Sequence, residues 1–147
     1  MALGWSNPRT AFRDRWNRLR PLKRCRLANA VRAYRGYSRN KRCIATAQSA
    51  WPMSLSVEPT TSCNLRCPEC PSGLRSFTRP TGMLEVDTLK RVLDEIGQHL
   101  VYLNLYFQGE PYLHPDMNEL VHIGAAHRLY TSTSTNAHFL RPERCAE

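Results

Sequence analysis

Cys63-Asn64-Leu65-Arg66-Cys67-Pro68-Glu69-Cys70 puts three thiols into eight residues at C-x3-C-x2-C spacing, directly behind a short apolar stretch. Three thiolates on one loop can take three corners of a metal cluster but cannot complete four-coordination around a lone zinc. One metal position is left open. A structural zinc would need a fourth ligand such as Glu69, His114 or His138. Clustered thiols with no secretory leader point to a metal rather than a disulfide scaffold. The remaining cysteines, Cys25, Cys43 and Cys145, lack such neighbours and read as incidental or buried thiols.

Outward from this loop the chain alternates strand and helix. Ser54 to Glu58 is a strand candidate broken by Pro59, and a loop rich in Pro, Ser, Thr and Gly runs on to Gly82. Leu89, Val92, Leu93 and Ile96 share a helical face, with Asp87 as N-cap and Gly97 as stop. Val101 to Phe107 is apolar at nearly every position, the pattern of a strand covered on both faces. Pro115 suits the first turn of a helix that Met117, Leu120, Val121 and Gly124 continue. Leu129 to Ser134 reads as a third strand, and Leu140 to Glu143 as the start of a further helix. Residues 104–109 also resemble an engineered protease tag, but Leu103 stands where that tag has Glu, so the segment reads as native.

The order β-α-β-α-β calls for right-handed crossovers and parallel strands. A closed barrel of eight βα units takes about 250 residues. With 147 residues, the fold class expected is α/β, an incomplete, partial βα barrel.

Two further motifs follow the second and third strands: Gly109-Glu110-Pro111 and Ser134-Thr135-Asn136. Alone, the first is an ordinary turn and the second a helix cap. With the cysteine loop they fall in order at the C-terminal ends of three successive parallel strands, where a barrel builds its active site. In these three motifs, residues 53–140 resemble the radical S-adenosylmethionine (radical SAM) superfamily. The Pro59 to Cys67 stretch has the flavour of its SPASM-containing branch, which often modifies peptides.

The resemblance implies that Cys63, Cys67 and Cys70 hold a 4Fe-4S cluster whose open iron takes SAM. Gly109, Glu110, Pro111, Ser134 and Asn136 would then contact SAM, with Glu110 accepting hydrogen bonds from its cationic amine. It implies an enzyme that reductively cleaves SAM to a 5′-deoxyadenosyl radical, which abstracts hydrogen from a substrate, a peptide among the candidates. An external electron donor is implied as partner, with cytoplasmic localisation. Glu69 and Ala137 depart from the family's common residues, an aromatic and a glycine. The chain reads as a fragment that does not turn over by itself. The alternative from a different class is a zinc-binding module with a nucleic-acid-binding leader.

That leader is where the charge lies. Residues 1–50 hold thirteen Lys or Arg against one acid, Asp14, for +12; residues 51–147 hold eight bases against eleven acids, for −3. The composition divides the chain into a basic helical N-terminal extension, residues 1–50, and the N-terminal part of a core domain, residues 51–147. Phe12, Trp16 and Leu19 mark one amphipathic helix, ended at Pro21; Leu27, Val31 and Tyr34 mark a second, closed at Gly36. Both are expected to pack these stripes on the main domain and leave a solvated basic face, in preference to nucleic-acid or anionic-membrane contact. No run approaches the ~20 apolar residues of a membrane span.

Overall fold

The computed structural model describes residues 8–42 and 50–143; Cys43 and Cys145 lie outside them. Three strands, β1 (Ser54–Ser56), β2 (Tyr102–Asn104) and β3 (Tyr130–Ser132), pair in parallel in the order β1-β2-β3. The helices are α1 (Pro8–Leu19), α2 (Arg24–Arg42), α3 (Pro71–Leu74), α4 (Val86–Ile96) and α5 (Met117–Ala126), with a 3-10 turn at Pro111–Leu113. Parallel pairing follows from the chain order, since α4 and α5 are the crossovers that return it to the same end of the sheet before each next strand.

Register separates two faces. Leu55, Leu103 and Thr131 share one rung, and α4 and α5 lie on their side: Leu103, Leu89, Leu93, Met117, Leu120 and Ile123 form one buried cluster. Each such leucine taken fully out of water contributes about 1.5–3 kcal/mol. The opposite face is polar. Ser56, Asn104 and Ser132 share a rung, and their side chains hydrogen-bond across it: Asn104 Nδ2 donates to Ser56 Oγ at 3.2 Å and Ser132 Oγ to Asn104 Oδ1 at 3.1 Å. Tyr102 and Tyr130 stack one rung below, centroids 5.4 Å apart.

Val101 to Phe107 is therefore not covered on both faces. Leu103 and Leu105 are buried, whereas Phe107 is exposed and Tyr102 and Asn104 are half-buried. Among the described residues the crossover helices α4 and α5 cover one side of this sheet, and only α1, through Asp14 and Arg18, reaches Tyr130 on the other. Helix starts also differ by a residue or two from the expectation. Glu85, not Asp87, is the N-cap of α4; Asp87 sits in the first turn, where a carboxylate still favours the helix dipole. Pro115 precedes the Asp116 N-cap of α5. Gly97 ends α4 as expected. Short α3, inside the long loop, gave no periodic signal because it has only four residues.

The leader forms two helices, but its stripes do not pack on the domain. Phe12, Trp16, Leu27, Val31 and Tyr34 are all exposed. Two buried polar residues dock it instead. Arg26 reaches four backbone carbonyls: Pro21 (3.0 Å), Gly97 (2.9 Å), His127 (2.8 Å) and Arg128 (2.8 Å). Gly97 and His127 are the C-caps of α4 and α5, so one guanidinium meets the orphan carbonyls and negative dipole ends of both. Burial pushes its pKa below the ordinary arginine value. Asn29 pairs with both backbone groups of Trp51, each at 3.0 Å, and Trp51 stacks on His99. Gly36 does not close α2; it is buried within it, and the helix runs on to Arg42.

Candidate cofactor site

The cysteine loop leaves the C-terminal end of β1 and is folded back by α3. Cys70 is the N-cap of α3, and its amide donates to the Cys67 carbonyl at 3.2 Å. The nearby backbone N-H groups of Gly73 and Ser72 hold the Cys70 thiol below its ordinary value, which favours thiolate. Gly73 packs so tightly beneath the loop that a Cβ there would lie 2.5 Å from the Cys67 nitrogen and 2.7 Å from its oxygen. All three loop cysteines are free thiols, half-buried or exposed.

At the end of β2, Gly109 has φ +80°, and an added Cβ would lie 2.2 Å from the Thr60 carbonyl oxygen. Only glycine fits both demands. Its amide donates to Ser72 Oγ at 2.9 Å and the Glu110 amide to the Ser62 carbonyl at 2.8 Å, so this turn is held against the cysteine loop at two points.

Glu110 is 2% exposed. Its Oε1 accepts from the Thr135 hydroxyl (2.6 Å) and the Tyr112 amide (3.1 Å), and its Oε2 from the Asn136 amide (2.8 Å). A carboxylate has about four lone-pair positions, so one remains for a further donor. Asn136 reaches the other way: its Nδ2 donates to Asn64 Oδ1 at 2.9 Å, inside the cysteine loop. Ala137, at φ +64°, turns the chain directly after it. The three motifs that lie far apart in sequence are thus joined through Ser72, Glu110 and Asn136.

Pro111 is buried at the start of the 3-10 turn and shapes the backbone below Glu110. Ser134 is exposed, and no hydrogen bond of its side chain is found among the described residues. Ser72 and Gly73 were not singled out by sequence, and Thr135 and Asn64 were quoted only as members of their motifs; a hydroxyl or glycine in a loop gives no signal until its partner is known. His114, a candidate zinc ligand by sequence, is engaged elsewhere: its ring is buried, Nε2 meets the Leu84 carbonyl at 2.8 Å, and Nδ1 accepts from the Asp116 amide. His138 is exposed, as is Cys25, so the latter is not a buried thiol.

Among the described residues no three His, Cys, Asp or Glu side chains converge on a point for a single metal ion. A cluster asks for something different, since three ligating thiolates reach three separate irons. Three free thiols on one loop, one of them held toward thiolate, match that donor set.

The family whose model matches, over residues 57–147, is described as the Radical SAM superfamily. Among curated proteins, the chain is 36% identical over 92 residues to the Mycofactocin maturase MftC of Mycobacterium tuberculosis (strain ATCC 25618 / H37Rv), covering 63% of this chain and 23% of that protein. It is 36% identical over 96 residues to the PqqA peptide cyclase of Rhodopseudomonas palustris, covering 65% and 25%. The chain thus spans about a quarter of the length of the curated relatives it matches. Among solved structures, that of BtrN in complex with AdoMet and 2-DOIA superposes with a TM-score of 0.57 over 67% of this chain and 42% of that one, at 24% identity, and shares the fold.

Proposed function

Since the chain belongs to the radical SAM superfamily, whose cofactors are a 4Fe-4S cluster and SAM, we propose that Cys63, Cys67 and Cys70 ligate the cluster and that Gly109, Glu110, Pro111, Ser134 and Asn136 surround SAM. On this reading residues 51–147 are the N-terminal part of a catalytic core and residues 1–50 an extension of it. Bound together, cluster and SAM supply one-electron cleavage of the sulfonium and hydrogen-atom abstraction from a substrate, fed by an external electron donor.

The protein's own contribution is positioning. Ser72 and Gly109 fix the cysteine loop against β2, so the three sulfurs keep one spacing. Glu110 presents buried negative charge with one acceptor position free, which suits the ammonium of SAM. The observation that carries the reading is the pair of bonds from Asn136, one to Glu110 and one to Asn64, which closes the three motifs into one site.

A peptide is the proposed substrate, supported by two relatives whose names are a mycofactocin maturase and a PqqA peptide cyclase. A SPASM extension and a cytoplasmic setting belong to the same proposal. No described helix is long and apolar enough to cross a membrane.

Anaerobic reconstitution tests the metal site. The expected result is a brown protein with about four irons per chain, lost when any one of Cys63, Cys67 or Cys70 becomes Ala. Stoichiometric zinc without iron-sulfur absorbance would sink the proposal and establish the zinc module in its place.

A further inference from the structure

The leader's apolar stripes face away from the domain it docks on. Phe12, Trp16 and Leu19 are 71, 61 and 57% exposed, and Leu27, Val31 and Tyr34 are 47, 50 and 71% exposed. On α1 the stripe lies between Arg15 on one flank and Arg13 and Arg20 on the other, all exposed. Asp14, on the far side of α1, donates nothing to it; its carboxylate accepts from the Tyr130 hydroxyl at 2.7 Å and pairs with Arg18 at 2.7 Å. On α2 the stripe lies opposite the face that carries Asn29 and Gly36, with exposed Arg24 and Arg35 beside it. Apolar area of this size, left in water and bordered by charge, marks an interaction surface.

Charge selects the occupant. The leader's single acid is already paired, so its partner must bring the negative charge. Nucleic acid would use the arginines on phosphate and the aromatic rings for stacking, but leucine and valine add nothing to base stacking. An anionic bilayer uses every part: aliphatic side chains at the acyl boundary, Trp and Tyr at headgroup depth, and arginine on phosphate.

Position agrees. Arg26 seats the leader on the C-terminal ends of α4 and α5, where β2 and β3 begin. The candidate cofactor site lies at the opposite ends of those strands. An arm that captures substrate belongs beside the site, whereas a tether at the far end leaves the site open. We propose that α1 and α2 seat this protein on the surface of an anionic lipid bilayer, with the cofactor site facing away from it.

The test is flotation of the full chain through a density gradient, where self-associated protein stays at the bottom, with vesicles of phosphatidylcholine alone and of phosphatidylcholine with phosphatidylserine, at low and physiological salt. Binding to the anionic vesicles should exceed that to neutral ones by at least about tenfold, with about fivefold lost for each of Arg13→Gln and Arg35→Gln. Joint replacement of Phe12, Trp16, Leu27 and Val31 by Ser should abolish binding at unchanged charge. These side chains are exposed, so circular dichroism should stay that of the parent; if it does not, the two arginine variants still decide. Equal binding to neutral vesicles, binding that survives the serine variant, or tighter binding to a single-stranded oligonucleotide would overturn the proposal. So would absence of lipid binding in a longer chain whose stripes are protected from hydroxyl-radical labelling, which would place the occupant within the protein itself.

Discussion

Glu110 is the residue on which the site depends most. Its three donors come from two loops, so removing the carboxylate leaves the Thr135 hydroxyl and the Asn136 amide without acceptors. Glu110→Ala is expected to lower stability by about 2–3 kcal/mol in urea unfolding and to weaken SAM binding more than tenfold, with the cluster still assembled. Thr135→Val separates the two roles: it costs about 1 kcal/mol and leaves SAM affinity within a fewfold of the parent, because the charge is untouched. SAM affinity unchanged in Glu110→Ala would remove the carboxylate from the ligand site. Gly73→Ala makes a different prediction. Its new methyl meets the Cys67 backbone, which cannot yield as a flexible side chain would, so iron content after reconstitution should fall while urea unfolding still shows a cooperative transition. The three cysteines and Glu110 were legible in sequence because their chemistry is written in residue type and spacing. Gly73 was not, and Thr135 was visible only as a member of its motif and not as a partner of Glu110, since what constrains them is a neighbour 6 and 25 positions away.

At the scale of elements, the leader shows where pattern reading stops. Its helices were legible from periodicity, but the stripe that announced them is not the surface that docks them. Docking of α2 rests on buried Arg26 and Asn29, while Asp14 holds α1 to Tyr130, and in a segment with twelve other basic residues nothing distinguishes the one that is buried. Arg26→Gln is expected to cost about 2–4 kcal/mol, because an amide cannot reach four carbonyls and leaves some of them dry and unpaired. Hydrogen exchange should then quicken through α1 and α2 while the amides of β2 stay protected, as for a unit that opens independently. Uniform acceleration across the sheet would show instead that leader and core unfold together. Strand β2 was read correctly as a strand and wrongly as covered on both faces; the apolar run mixed buried Leu103 and Leu105 with exposed Phe107, and residue type alone does not report which side a helix will occupy.

At the scale of the whole molecule, the sheet has three strands among the described residues, and there both β1 and β3 carry an unpaired edge. Exposed Phe107, Leu74, Met83 and Leu65 lie on the loops after the first two strands. Open edges and uncovered apolar side chains favour self-association, so residues 1–147 are expected to be oligomeric or poorly soluble. Sedimentation velocity checks this, and a monodisperse monomer would overturn it. Within those three strands, the rung of Ser56, Asn104 and Ser132 has a consequence of its own. Sliding any strand by one position would carry its polar side chain under the helices and a leucine or Thr131 into the open. Their mutual hydrogen bonds therefore act as a height gauge: they hold the roots of three loops level, so that the cysteines, Glu110 and Asn136 meet because each loop is counted from the same line.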